Sequence, residues 1–436
     1  MNAGDRVRVE RGAQTYEGVL LPSTTDDHLV VKLEGGYNVG VDRGEADVEV
    51  LESDTYDVEE AQFDEGASRV EFDEGLPTVS LISTGGTIAS TVDYRTGAVR
   101  PRADAEDVLR AVPDLAGLAN YRGRVVTNIL SENMTPGVWQ DLARAVREET
   151  EAGADGVVVM HGTDTMQFSA SALSFMLDTP VPVVFTGSQR SADRPSSDNV
   201  MNAVCAVEAA KSDCAEVLVC MHESESDDRC ALHRGTRVRK NHTSCRDAFE
   251  TVGGKPLGVV DYDTDAAESE VSFRGEHRKR GESEARSAPG QSSGDEPRDA
   301  ELDLEPALET DVDLLKFAPG ADVSLLDTLD GNEGVVLEGT GLGHVNTAWI
   351  PRIEELVADG TTVVMTSQCI EGRVCDRVYD TGRDLLEAGV VEAGDTLPGT
   401  AMVKLMWVLE NRDDPAAAMG EDLAGELTER SVPWTA

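Results

Sequence analysis

Two threonines in this chain stand where a hydroxyl could act as a nucleophile. Thr87 closes the stretch Pro77-Thr78-Val79-Ser80-Leu81-Ile82-Ser83-Thr84-Gly85-Gly86-Thr87, an apolar run that stops in a polar, glycine-rich turn. Thr163 follows a second run, Val157-Val158-Val159-Met160, in the turn His161-Gly162-Thr163-Asp164. A threonine hydroxyl is a poor nucleophile at its own pKa and needs a base and an ordering group. Two strand-end threonines, the neighbouring Asp164 and one suitably placed lysine would supply them. Either turn alone is also what an ordinary strand end looks like; the repetition is what favours chemistry. The glycines spell neither G-x-G-x-x-G nor a G-K-[ST] P-loop, so the nucleotide-binding motifs are not indicated.

Such turns need strands that deliver them to one edge. Val79 to Ile82 suits a buried parallel strand. Gly85 and Gly86 allow a sharp turn with N–H groups facing a ligand. Thr87 then falls beyond the strand's carboxyl end, where open α/β sheets place their ligands. From Pro77 to about Leu257 strand, turn and helix repeat. Val125 to Leu130, Val181 to Phe185 and Val217 to Met221 read as strands; Ala103 to Ala111, Pro136 to Ala152 and Val200 to Ala210 read as helices. This alternation predicts an α/β fold, a parallel sheet with helices on both faces.

The remaining segments differ in character. Residues 1–52 hold short alternating runs punctuated by glycine, which predicts a small all-β, SH3-like module. Residues 53–75 are acid-rich and read as a linker. Residues 264–311 lose the α/β pattern, and Gly281 to Glu305 is almost without apolar side chains, so a polar, disordered insertion is expected. Residues 312–436 resume the α/β pattern as a second lobe.

The net charge is −45, from 83 acidic against 38 basic residues spread along the chain. Dispersed acids of this density suit a surface solvated at very high salt, where screening shortens to a few Å. A salt-accumulating halophile is therefore expected. The same charge argues against a nucleic-acid surface supplied by this chain alone, apart from small basic patches such as Arg234 to Arg246 or Arg274 to Arg280. The seven cysteines form no C-x-x-C pair, and no metal-ligand cluster stands out. Free thiols, a polar acidic start and no apolar run of membrane-spanning length point to a cytoplasmic protein.

The stretches Thr84-Gly85-Gly86-Thr87-Ile88, Ser131-Glu132-Asn133-Met134, His161-Gly162-Thr163-Asp164-Thr165-Met166 and Val238-Arg239-Lys240 together resemble the bacterial-type L-asparaginase family. The resemblance covers about Pro77 to Trp407, with the insertion as an interruption. It implies two asparaginase-like lobes, over 76–263 and 312–436. The extra β module, the stretch Glu371 to Gly389 and Leu397-Pro398-Gly399-Thr400-Ala401-Met402 to Trp407 lean towards one branch, the GatD subunits of archaeal Glu-tRNA(Gln) amidotransferases.

The resemblance implies roles residue by residue. Thr87 is the first-threonine nucleophile and Thr163 the second catalytic threonine, with Asp164 and Lys240 completing a triad around Thr163; the sequence allows either threonine to attack first. Tyr94 is the lid residue that orients Thr87. Ser131 and Glu132 grip the substrate's amino-acid end, and Glu132 stands where the family often has glutamine. A neutral lysine amine can take a proton, and N–H groups near Gly86 and Gly162 could stabilise an oxyanion. The branch implies a glutaminase or asparaginase activity whose ammonia serves a partner, the GatE subunit. Glu-tRNA(Gln) is bound mainly through that partner, which also takes the ATP and Mg²⁺; no cofactor is expected in this chain. A homodimer within a heterotetramer is implied. A free-standing L-asparaginase and a catalytically silent scaffold remain the alternatives.

Overall fold

The computed structural model describes residues 4–12, 14–21, 28–33, 38–53, 73, 75–85, 90–93, 98–101, 112–190, 196–263, 266–280, 302–375 and 377–429. Thr87, Tyr94, the expected helix from Ala103 to Ala111, most of the acidic linker and residues 281–301 of the expected insertion lie outside them.

Strands β1 (Arg6–Arg11), β2 (Gln14–Leu21), β3 (His28–Leu33), β4 (Asn38–Asp42) and β5 (Asp47–Glu52) form one antiparallel sheet in the order β4-β3-β2-β1-β5. Alternation sends Val7 and Val9 to a small core with Leu20, Leu29, Val31 and Val41. Arg8 on the opposite face pairs with Glu17 and Glu49. Lys32 pairs with Asp114, tying this module to the chain that follows.

The next strands are β6 (Thr78–Ser83), the hairpin of β7 (Ser90–Asp93) with β8 (Ala98–Pro101), β9 (Asn120–Val125) and β10 (Gly156–Met160). After β11 (Leu177–Asp178) come β12 (Val183–Thr186), β13 (Val217–His222), β14 (Arg229–Arg234), and the paired β15 (Val238–Lys240) and β16 (Phe249–Thr251). β17 (Gly258–Asp261) and β18 (Glu270–Phe273) complete the first lobe. Its main sheet has the order β18-β17-β14-β13-β12-β10-β6-β9. The five strands from β9 to β13 are parallel, as the sequence pattern predicts; β14, β17 and β18 add to the edge antiparallel.

Helices cover both faces. Ile82, Val157, Val159 and Phe185 point to a core shared with α1 (Pro136–Glu151) and α2 (Met166–Met176). Val79, Leu81, Val158 and Val184 point to the opposite core under α3 (Asn199–Lys211). α1 starts at Thr135, whose hydroxyl accepts the Val138 N–H, with Pro136 in its first turn.

The second lobe holds β19 (Asp303–Leu304), which pairs with β11, and the parallel sheet β20 (Val312–Lys316), β21 (Gly334–Gly339), β22 (Thr362–Ser367) and β23 (Val391–Glu392). Helices α4 (Ile350–Ala358), α5 (Asp380–Glu387), α6 (Pro398–Asn411) and α7 (Pro415–Met419) accompany it. Trp407 and Leu405 of α6 enter the same core as Phe175 and Leu173 of α2, so one apolar core joins the lobes.

Three expectations change. The strand expected over Val125 to Leu130 lies earlier, at β9, where Tyr121 is buried and its hydroxyl donates to the Leu115 carbonyl. The insertion expected over 264–311 is structured at both ends. β18 pairs with β17, and Arg278 and Arg280 donate to the Ala215, Ser212 and Ala210 carbonyls. Charged side chains there cap main-chain groups, which is why a polar segment stays attached. For the same reason the Arg274 to Arg280 stretch is a poor basic patch, since Arg274 is also paired, with Glu223.

Candidate active site

The register of the parallel strands brings the reactive turns together. Ser83 pairs with Met160 and Met160 with Thr186, so the turns after β6, β10 and β12 leave the sheet at one level. Thr84 stays on β10, its N–H and hydroxyl both reaching the Met160 carbonyl. Gly85 has φ +103°, and a Cβ there would lie 2.6 Å from the Ile129 carbonyl oxygen. Only glycine fits a turn that is both left-handed and pressed against the neighbouring loop.

The turn after β10 passes equally close to its neighbours. A Cβ on Gly162 would sit 2.6 Å from the Ser131 Cβ, and one on Gly187 would sit 2.6 Å from the His161 carbonyl oxygen and 3.0 Å from the Thr163 methyl carbon. The Thr165 hydroxyl donates to the Ser131 carbonyl at 2.8 Å. Two glycines thus seat Thr163 between the turns that carry Ser131 and Ser188.

Lys240 arrives from the small β15–β16 hairpin. Its Nζ donates to Thr163 Oγ1 at 2.9 Å and to Asp164 Oδ1 at 2.6 Å. The lysine side chain is 10% exposed, whereas that of Asp164 is 67% exposed. The amine is therefore enclosed against the hydroxyl, while one carboxylate faces outward, able to meet a cationic group on an incoming molecule. Ser131 is buried and Glu132 is exposed, on the 3₁₀ turn Ser131–Asn133 beside Thr163.

Several supporting residues are not apparent from the sequence. Gln167 lies one helical turn beyond Thr163, and its Oε1 accepts the Lys240 backbone N–H at 2.9 Å; the i, i+4 spacing was the available signal. Thr236 donates to the Ala424 carbonyl, and Arg237 donates to the Gly425 carbonyl and to Asp395. The C-terminal lobe thereby clamps the segment leading to Lys240. His161 is buried, and burial pushes its imidazole down to about 4. Trp139 Nε1–H donates to Ser169 Oγ, Ser169 meets His161 Nε2 at 2.8 Å, and His161 Nδ1 meets the Gly162 carbonyl at 2.7 Å. Only one neutral tautomer satisfies that chain: Ser169 donates to Nε2 and Nδ1–H donates to the carbonyl. His161 is a brace for the Thr163 turn.

The fold and this arrangement define an asparaginase-type α/β protein with an added β module. The family descriptions that match are "Asparaginase, N-terminal" over residues 78–272, "Glutaminase/Asparaginase C-terminal domain" over 311–419, and "GatD N-terminal domain" over 1–51. The chain is 70% identical to the D subunit of a Glutamyl-tRNA(Gln) amidotransferase from Halobacterium salinarum, across 99% of both chains. It is 51% identical to the same subunit from Methanosarcina mazei, across 98% of both. Among solved structures it resembles the thermostable L-asparaginase of Thermococcus kodakarensis, with 30% identity and a TM-score of 0.68, covering 80% of this chain and 99% of that one. A probable cytoplasmic L-asparaginase of Campylobacter jejuni gives 26% identity and a TM-score of 0.61, covering 79% of this chain and 98% of that one. The chain belongs to the GatD family of archaeal Glu-tRNA(Gln) amidotransferases, a branch of the asparaginase family. Among the described residues no helix is long and apolar enough to cross a membrane.

Proposed function

We propose that this chain hydrolyses the side-chain amide of glutamine or asparagine and releases ammonia for tRNA-dependent amidation. The observation that carries the reading is the contact of one enclosed lysine amine with both Thr163 Oγ1 and Asp164 Oδ1. In the resting arrangement the ammonium donates to both oxygens. Once the amine is neutral, the same 2.9 Å contact lets Nζ take the hydroxyl proton. Asp164 orders the amine and offers its exposed oxygen to the substrate's ammonium group, with Ser131 and Glu132 gripping the amino-acid end. Thr87, with Tyr94 as its lid, forms the acyl-enzyme. The Thr87 oxygen bonds the amide carbon, its hydroxyl proton passes to the leaving nitrogen, the C–N bond breaks and ammonia leaves. Water, giving its proton to Lys240 by way of Thr163, then attacks the ester; the acyl C–O bond breaks and the proton returns to the Thr87 oxygen.

In this proposal the ammonia goes to a partner of the GatE type, which holds Glu-tRNA(Gln), ATP and Mg²⁺, and amide hydrolysis in this chain uses no cofactor. The working form is a homodimer flanked by two partners in a cytoplasm of high salt. The β module and the family membership favour this assembly over a free-standing asparaginase. The test is ammonia release from glutamine and asparagine by the purified chain, alone and with its partner and Glu-tRNA(Gln). Glutamine hydrolysis stimulated by partner and tRNA is expected, and Thr163→Ala abolishes it. Strong asparagine hydrolysis indifferent to the partner would overturn the reading.

A further inference from the structure

A cluster of metal-ligating side chains lies outside the threonine–lysine contact. Glu225, on the loop between β13 and β14, meets Cys245 and Asp247, on the loop between β15 and β16; one ligand atom of each lies within 4.8 Å of the other two. Lys240 ends the strand from which the second loop departs. Among the described residues the two carboxylates have no cationic or hydrogen-bonding partner, although they stand close together and Asp247 is half-buried. Two carboxylates this close favour a cation between them.

The surroundings are set up for a ligand set. Arg246 binds the Asp227 carboxylate and the Glu225 carbonyl, joining the two loops while leaving the Glu225 carboxylate unused. Asn241 and His242 N–H groups both bond the Ala248 carbonyl, pinching the base of the second loop. His242 Nδ1 accepts the N–H groups of Ser244 and Cys245 at 3.1 and 2.9 Å. Its proton is therefore on Nε2, 3.4 Å from Cys245 Sγ, where it donates to sulfur and holds the side chain in place.

We infer that Glu225, Cys245 and Asp247 bind a divalent cation of the zinc class, with His242 as the outer partner of the sulfur. A thiolate beside two carboxylates suits Zn²⁺ better than Mg²⁺ or Ca²⁺, and three protein ligands leave a fourth position for water. Zinc bonds of about 2.0–2.3 Å bring the three ligands together by a shift of about 1 Å. Binding replaces the S–H bond by a Zn–S bond and releases that proton to solvent. The ion ties the loop after Lys240 to the loop after β13.

The test titrates the metal-free full-length chain with Co²⁺ and then Zn²⁺ at its working salt. One Co²⁺ per chain is expected, with a near-ultraviolet sulfur-to-cobalt band that Zn²⁺ bleaches. Cys245→Ser loses the band, Asp247→Asn weakens binding, and His242→Ala weakens it about 10–100-fold, while Cys369→Ser leaves it unchanged. Circular dichroism checks that each variant folds. No sulfur band at stoichiometric cobalt, or a band that survives Cys245→Ser, overturns the proposal.

Discussion

Arg237 and Asp395 meet as an enclosed ion pair, Nη1 to Oδ2 at 3.1 Å, and through it the C-terminal lobe holds the strand that carries Lys240. Both side chains are under a tenth exposed. Thr428 adds its hydroxyl and N–H to Asp395. Removing one partner leaves the other charged and buried, which costs about 3–5 kcal/mol. Asp395→Ala is therefore expected to lower the denaturation midpoint strongly and to reduce amide hydrolysis in the fraction that stays folded. Arg237→Ala should do the same, and the double variant should cost less than the sum. Chemical denaturation of the four forms checks this cycle.

Gly187 offers a way to disturb Thr163 without touching its chemistry. A methyl group there meets the His161 carbonyl at 2.6 Å and the Thr163 methyl carbon at 3.0 Å, so the turn has to give way. Overpacking of this kind costs about 1–3 kcal/mol. The larger expected effect is on rate, because a displacement approaching 1 Å at a reacting group costs about 100-fold. Gly187→Ala should keep its fold by circular dichroism and lose about two orders of magnitude in kcat/KM.

Much of this was legible because the reactive turns are local in sequence. Val157 to Met160 followed by Gly162-Thr163-Asp164 announces a parallel strand and its carboxyl-end turn within a few residues. The family resemblance singled out Lys240, and the structure puts its amine on Thr163 and Asp164. What holds Lys240 was not legible. Arg237 to Asp395 and Thr236 to Ala424 are pairings across more than a hundred residues, and no periodicity encodes them. The antiparallel edge was missed for a related reason: Arg229–Arg234 is charged at both ends and Glu270–Phe273 at its start, and both gain strand structure by pairing with β13 and β17. Arg278 and Arg280 read as solvated basic residues, yet they cap helix-end and loop carbonyls. Thr87 and Tyr94 fall outside the described residues, so their roles stand on the resemblance.

The buried histidine should leave a mark on acid stability. His161 titrates at about 4 in the folded chain, because burial penalises its charged form, against about 6.5 when unfolded. Between those values the unfolded state binds more protons, so stability rises with pH and is lost as pH falls from about 6.5 to about 4. The full effect is on the order of 3 kcal/mol. His233, also pushed down to about 4 by burial, contributes in the same direction. His161→Gln should flatten the dependence of the denaturation midpoint on pH in that window, whatever it does to the midpoint at neutral pH. An unchanged slope would show that His161 is not the neutral brace described above.

The sharpest test of Lys240 separates a proton acceptor from a mere positive charge. Arginine keeps the charge and the donors but is not deprotonated at working pH. If Nζ takes the Thr163 proton, Lys240→Arg and Lys240→Met should both lose about 100- to 10,000-fold in kcat. If the ammonium only neutralises Asp164, the arginine variant should retain most of the rate and the methionine variant should not. Lys240 Nζ reaches both oxygens, at 2.9 and 2.6 Å, so distance alone allows either role. The enclosure of the amine decides the expectation, because a side chain that is 10% exposed beside a largely exposed Asp164 has Thr163 as its protected partner. Equal loss in the two variants, with substrate binding preserved, is the expected outcome.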